Sequence, residues 1–149
     1  MRLTLCEGGE ATHVRHWRHL QLLVAAYTLA DDEGVVDVSD LRALLAVSDP
    51  AGRRVLPVTI YSRAKKLNEL LPVDAFDLDV PREHRHRAGD YDRMVVRLRP
   101  HGREFVEGNL NRVLAEVSKE GLDRGLADLF HDAGAISEER CILRPRRPA

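Results

Sequence analysis

Apolar positions along the chain follow two periods. From Thr12 to Ala30, Trp17, Leu20, Val24 and Tyr27 recur at helical spacing, Leu23 widens the stripe, and Asp31-Asp32-Glu33-Gly34 supplies a stop. Val35, Val36 and Val38 make a short extended link, suited to a minor edge strand. Ser39 is the expected N-cap of a second helix, Asp40 to Val47, with Leu41, Leu44 and Leu45 inward. Ser48-Asp49-Pro50-Ala51-Gly52 is turn chemistry. A third helix is expected from Thr59 to Leu71. Ile60, Ala64, Leu67 and Leu71 form its apolar stripe, and Val58, Ser62, Lys65 and Lys66 face away, with Thr59 and Tyr61 at the margins. Pro57 fits before or in the first turn, and Pro72 marks the end.

The second period is two. Phe76, Leu78 and Val80 alternate with Ala75, Asp77 and Asp79; Met94, Val96 and Leu98 alternate with Arg93, Val95, Arg97 and Arg99. These read as two strands. Their connection, Pro81 to Asp90, is polar throughout (P-R-E-H-R-H-R-A-G-D), which makes a hairpin with a basic tip. Helical spacing returns from about Arg103 with Val106, Leu110, Val113, Leu114 and Val117. Gly121 bends it, and Leu122, Leu126 and Leu129 continue the stripe. The expected organisation is a core domain at 12–103, C-terminal helices at 104–133 and a flexible tail at 137–149, with no internal repeat. The fold class is α+β, mainly α.

Three segments carry a family likeness: S-D-L-R-A-L-L-A-V-S at Ser39 to Ser48, I-Y-S-R-A-K-K-L-N-E-L at Ile60 to Leu70, and D-R-M-V-V-R-L-R-P-H-G-R-E-F-V at Asp92 to Val106. Together they resemble the multiple-antibiotic-resistance regulator (MarR) family. There the wing returns through an Asp-Arg pair into a strand, and a Thr-Pro-x-Gly-like step opens the next helix. Asp92-Arg93 and Arg99-Pro100-His101-Gly102-Arg103 take those places. The resemblance spans about Val14 to Leu129 and is that of a diverged relative. The turn before the third helix is lengthened by Gly52-Arg53-Arg54, the exit from that helix reads Leu71-Pro72-Val73-Asp74, and barely a dozen residues precede the first helix. It implies a winged helix-turn-helix with a two-stranded β-wing and C-terminal dimerisation helices. The function it implies is a homodimeric transcriptional regulator, read as a repressor, on a pseudo-palindromic double-stranded DNA site.

The charge distribution agrees with that expectation, although the net charge is only −1. Arg53 to Arg103 holds 12 Lys/Arg against 7 Asp/Glu, and the remainder 11 against 17, so a positive middle sits between negative ends. The expected base-reading helix offers Thr59, Tyr61, Ser62, Arg63, Lys65 and Lys66, and the turn before it adds Arg53 and Arg54. The wing offers Arg82, Arg85 and Arg87, with Arg85 or Arg87 long enough for the minor groove. Arg93, Arg97 and Arg99 are expected to line up toward phosphates. Val106, Leu110, Val113, Val117, Leu122 and Leu126 are expected at or under the dimer interface, on a stripe longer than one small domain needs to close itself. Two other functions stay open: a winged-helix module whose basic face binds an acidic protein partner, and a plasmid or phage factor for DNA replication or partition.

No catalytic constellation emerges: there is no nucleophile elbow, phosphate-binding Gly-rich loop or carboxylate pair, so no enzyme and no cofactor are expected. His13, His16 and His19, spaced i, i+3, i+6 on the expected first helix, cannot all reach one metal, and no metal site is expected. His84 and His86 alternate with the wing arginines and so fit phosphates better. Cys6 and Cys141 form no C-x-x-C unit, which points to a reducing cytoplasm. A redox pairing of those two cysteines and a small-molecule effector both stay open. The longest apolar run, Leu22 to Tyr27, is far short of the roughly 20 residues of a membrane helix. With no secretory h-region, the expected location is cytoplasmic, without a membrane partner.

Overall fold

The first helix is the centre of the molecule because its sequence is apolar on every side. In the computed structural model, which describes residues 3–7, 10–14, 17–49, 51–71, 73–81, 88–109, 128–129 and 131–136, helix α1 spans Trp17–Leu29. Its residues Leu20 to Tyr27 are all buried, each 2% exposed or less. A helix buried all round must be covered from several directions. α2 (Val38–Ser48) and α3 (Pro57–Leu70) pack against it. A fourth helix, α4, has its described part at 100–109 and is tied to α1 by the Tyr27 hydroxyl, which donates to Glu107 Oε1 at 3.2 Å. Phe105 and Val106 of α4 belong to the core, as do Leu129 and Ala133.

A three-stranded antiparallel sheet completes this mainly helical structure. Its order is β3 (Val35–Val36), β5 (Val95–Leu98), β4 (Phe76–Asp79), with Val36 opposite Val96 and Phe76 opposite Leu98. Period-two alternation places Phe76, Val96 and Leu98 in the core and leaves Asp77, Asp79, Val95 and Arg97 exposed. Two glycines allow the close packing. Gly34 has φ +85°, and a Cβ there would collide with the Leu98 carbonyl oxygen. At Gly102 a Cβ would stand 2.9 Å from both the Ala75 oxygen and a Leu98 methyl, so this glycine lets α4 lie directly on the sheet.

Several expectations are corrected. Residues 12–14, expected to open the first helix, belong instead to a two-stranded hairpin, β1 (Leu3–Glu7) with β2 (Glu10–Val14), in which Glu7 pairs with Glu10 and Gly8-Gly9 is the intervening dipeptide in sequence. A two-residue Gly-Gly connection is a hairpin signal that overrides the helical spacing of the histidines. His13 therefore lies in β2 and His19 in α1, and the two share no helix face. Asp37, not Ser39, caps α2: its Oδ1 accepts from the Asp40 amide at 3.0 Å, and Ser39 sits inside the helix. Ala75 is fully buried rather than aligned with Asp77 and Asp79, because it precedes β4 and takes the Arg99 amide (2.8 Å) beneath Gly102. The chain entering β5 is not yet strand at Asp92. Ala88–Arg93 forms a 3₁₀ turn, so Arg93 drops out of the β5 row. Val106, expected at or under the dimer interface, is only 4% exposed within the single chain and so lies under any such surface, in the chain's own core.

One polar side chain is buried in α1. Gln21 Nε2 donates to the Leu45 carbonyl (2.9 Å) and to Ser48 Oγ (2.8 Å), and that hydroxyl lies 2.7 Å from the Leu44 carbonyl. Leu45 is in the last turn of α2, where carbonyls lack intrahelical donors, so Gln21 closes a helix end from inside the core. Gln21→Leu keeps most of the volume, removes the donor from Ser48 Oγ and leaves the Leu45 carbonyl only the Ser48 hydroxyl at 3.4 Å. It is expected to lower stability by about 1–3 kcal/mol, measured by urea unfolding with an unchanged slope.

Candidate nucleic-acid interface

Four inward residues of α3, Pro57, Ile60, Ala64 and Leu67, anchor the helix to the core. What remains outward is set by the 3.6-residue period. Ser62, Lys65, Lys66 and Glu69 are exposed, and Val58 and Thr59 are half-buried beside them. Ser62 spends its proton inside the helix, donating to the Val58 carbonyl at 3.1 Å, and keeps its lone pairs outward. Lys66 lies 3.5 Å from Glu69 in an ion pair whose side chains are 57% and 71% exposed. Such a pair is weak and exchangeable. The start of α3 carries no side-chain cap and no acidic residue in its first turn, unlike α2 with Asp37 and Asp40. Its positive dipole end is therefore not neutralised by the chain near it.

Tyr61, at the margin of the outward face of α3, is half-buried. Its ring packs on Tyr91 of the 3₁₀ turn (centroids 5.1 Å apart, tilted 59°), with Lys65 Nζ 4.8 Å above the Tyr61 ring. Aromatic tilt and cation–π attraction thus hold the root of the β4–β5 connection against α3. On the other flank Arg63 is half-buried. Burial holds its guanidinium below the usual arginine range, the neighbouring Arg18 pushes the same way, and the Asp49 carboxylate opposes them. An arginine stays charged through such a shift. Arg63 thus contributes positive charge from the side of α3 that faces Arg18 and Asp49.

The remaining expected cations fall into separate groups. Arg53 and Arg54 are exposed in the turn that leads into α3. Arg97 is exposed on β5 directly opposite Asp77, and Arg99 Nε lies 3.8 Å from the same Asp77 carboxylate. Arg93 sits apart from these two in the 3₁₀ turn and is not part of β5. Arg82, Arg85 and Arg87, with His84 and His86, lie outside the described residues, as do Leu110, Val113, Val117, Leu122 and Leu126 of the expected interface and Cys141.

Other residues that position α3 carry no motif in the sequence. Asn68 is the chief one. Its Nδ2 donates to the Phe76 carbonyl (2.9 Å) and its Oδ1 accepts from the amides of Ala75 (2.9 Å) and Phe76 (3.0 Å). One side chain thus satisfies three backbone groups of the entry to β4 and fixes the angle between α3 and the sheet. Arg42 does similar work in the turn before α3, donating from Nε to the Val55 carbonyl at 2.8 Å. An Asn in the last turns of a helix, followed by a turn, was the available signal for the first. Nothing in the sequence marks the second.

Among the described residues no group of three metal-ligating side chains comes together, and no helix is long and apolar enough to cross a membrane. No protein-family model matches the chain, and comparison with curated proteins and with solved structures finds no match. The two kinds of contact in α3 predict opposite sensitivities. Asn68→Leu, which strands buried amides, is expected to lower stability by about 1–3 kcal/mol. Glu69→Ala, which frees Lys66 from an exposed pair, should change it by about 0.5 kcal/mol or less. Parallel thermal and urea melts check both.

Proposed function

We propose that the chain is a winged helix-turn-helix protein that binds double-stranded DNA, a diverged relative of the MarR-like regulators, with α3 as its base-reading helix and the β4–β5 hairpin as its wing. The observation that carries the reading is the outward face of α3. It is narrow and polar, with Ser62, Lys65 and Lys66 exposed and Thr59 beside them, on a helix whose opposite face is locked in the core. A major groove about 12 Å wide admits a helix of that profile, and hydroxyl and ammonium groups suit base edges and phosphates. The element order α1, β3, α2, α3, β4, β5, α4 supports the same reading, as does the long basic connection between β4 and β5. Arg53 and Arg54 would meet the backbone beside the groove.

On this reading the protein acts as a homodimeric transcriptional repressor on a pseudo-palindromic site. The support for a two-fold partner is the apolar stripe Leu110, Val113, Val117, Leu122 and Leu126. Val106 leaves that stripe for the chain's own core. A two-fold axis would space two copies of α3 about one helical turn of DNA apart.

Fluorescence anisotropy with duplex selected from a random pool tests the proposal. Ser62→Ala with Lys66→Ala is expected to weaken binding to the selected site by about 1–3 kcal/mol per base-edge hydrogen bond removed, with the circular dichroism unchanged. Wild-type affinity in the folded double variant would remove α3 from the interface.

A further inference from the structure

Beside the α3 face, between α2 and the turn that follows it, lies an open cavity of about 210 Å³ lined by Arg42, Ala43, Ala46, Arg54 and Val55. Two guanidinium groups border it and no carboxylate does. The Arg42 guanidinium is held in place by its Nε bond to the Val55 carbonyl, which leaves its terminal nitrogens to face other groups. Arg54 is exposed and has no ion-pair partner among the described residues. Asp49, the nearest acid in sequence to Arg54, has its Oδ1 occupied by the Ala51 amide (2.7 Å) and lies on the side of Arg63, while Asp40, two residues from Arg42, lines a separate cavity. Two like charges beside a cavity with no counter-charge repel each other, and an anion between them turns that repulsion into two charge-assisted bonds. Planar guanidiniums match the tetrahedral oxygens of a phosphate in pairs.

We infer that Arg42 and Arg54 form a clamp for one phosphate group, and that its source is the backbone of the duplex read by α3. The inference rests on the duplex-DNA reading above. The turn carrying Arg54 and Val55 runs directly into Pro57, the first residue of α3, so a strand lying along the start of α3 passes the mouth of the cavity. A backbone phosphate there would set the register of α3 in the groove without reading sequence. Arg42 was not among the cations the sequence pointed to, because it sits inside α2 and only the fold brings it to Arg54.

The test is the dependence of DNA affinity on salt for wild type, Arg54→Ala, Arg42→Gln and the double variant. Each phosphate neutralised contributes close to 1 to the log–log slope. Because both arginines serve the same group, the double variant should lose about 1 from the slope in total, and affinity should fall alike for specific and random duplexes. Arg54→Ala alone should lower the slope, whatever Arg42→Gln does to stability, since Arg54 is exposed and outside the core. A structural effect alone would shift melting temperature and leave the slope untouched. Inorganic phosphate at millimolar concentration should move the Arg42 Nε–H resonance in wild type and not in Arg54→Ala.

An unchanged slope in the folded double variant overturns the clamp and leaves α3 as the reading helix. A loss of about 2, additive between the variants, means two separate phosphates and overturns the shared site. Phosphate binding at Arg42 with an unchanged DNA slope assigns the cavity to a free phosphorylated molecule and overturns the backbone source. No duplex binding by wild type at low salt ends the DNA reading itself, and the inference with it.

Discussion

Everything in this structure depends on the burial of α1. Eight consecutive residues, Leu20 to Tyr27, lie within the core, so every direction around the helix must be covered by something else. α2, α3 and α4 do that covering, and the sheet adds Phe76, Val96 and Leu98 to the same core. Each fully buried aliphatic side chain is worth roughly 1.5–3 kcal/mol, and α1 supplies several. A surface helix can roll about its axis at small cost. α3 cannot, because Ile60, Ala64 and Leu67 are committed to this centre. Its polar side is outward by exclusion.

Hydrophobic burial sets which face is inside but is tolerant of small slides and tilts. Directional contacts remove that tolerance here. Gln21 registers α1 on the end of α2, Asn68 ties the last turns of α3 to the entry of β4, and Tyr61 against Tyr91 joins the middle of α3 to the 3₁₀ turn before β5. Arg103 adds a strut, donating from a terminal nitrogen to the Asp31 carbonyl at 2.8 Å between α4 and the loop after α1. The consequence for function is geometric. Cations on α3, on the turn before it and on the sheet are held on one frame, as the proposed duplex contact would require.

The helices and strands that pack on the core were legible because their side chains repeat with the period of the backbone. Ile60, Ala64 and Leu67, and Val96 and Leu98, are buried as their spacing requires. What was not legible has physical reasons. The Gly8-Gly9 hairpin was hidden by histidines whose spacing imitates a helix. The true cap, Asp37, stands two residues before a serine that looks equally good in isolation. Val106 lies on a helical stripe that reads the same whether it faces its own core or a second copy, and only the fold decides. At the candidate interface, Ser62, Lys65 and Lys66 were readable from position alone. The half-buried settings of Tyr61 and Arg63 were not readable, because their neighbours Tyr91 and Arg18 are distant in sequence.

If the protein works as proposed, duplex DNA lies along the exposed side of α3 and the turn before it. Amide chemical-shift mapping of the isotope-labelled protein during titration with duplex DNA tests this most directly. The largest perturbations are then expected on 53–54 and 58–66, with smaller ones on β5 near Arg97 and Arg99, while the buried centre of α1 is little moved. Perturbations confined to other surfaces, with 58–66 unchanged at saturating duplex, would contradict it.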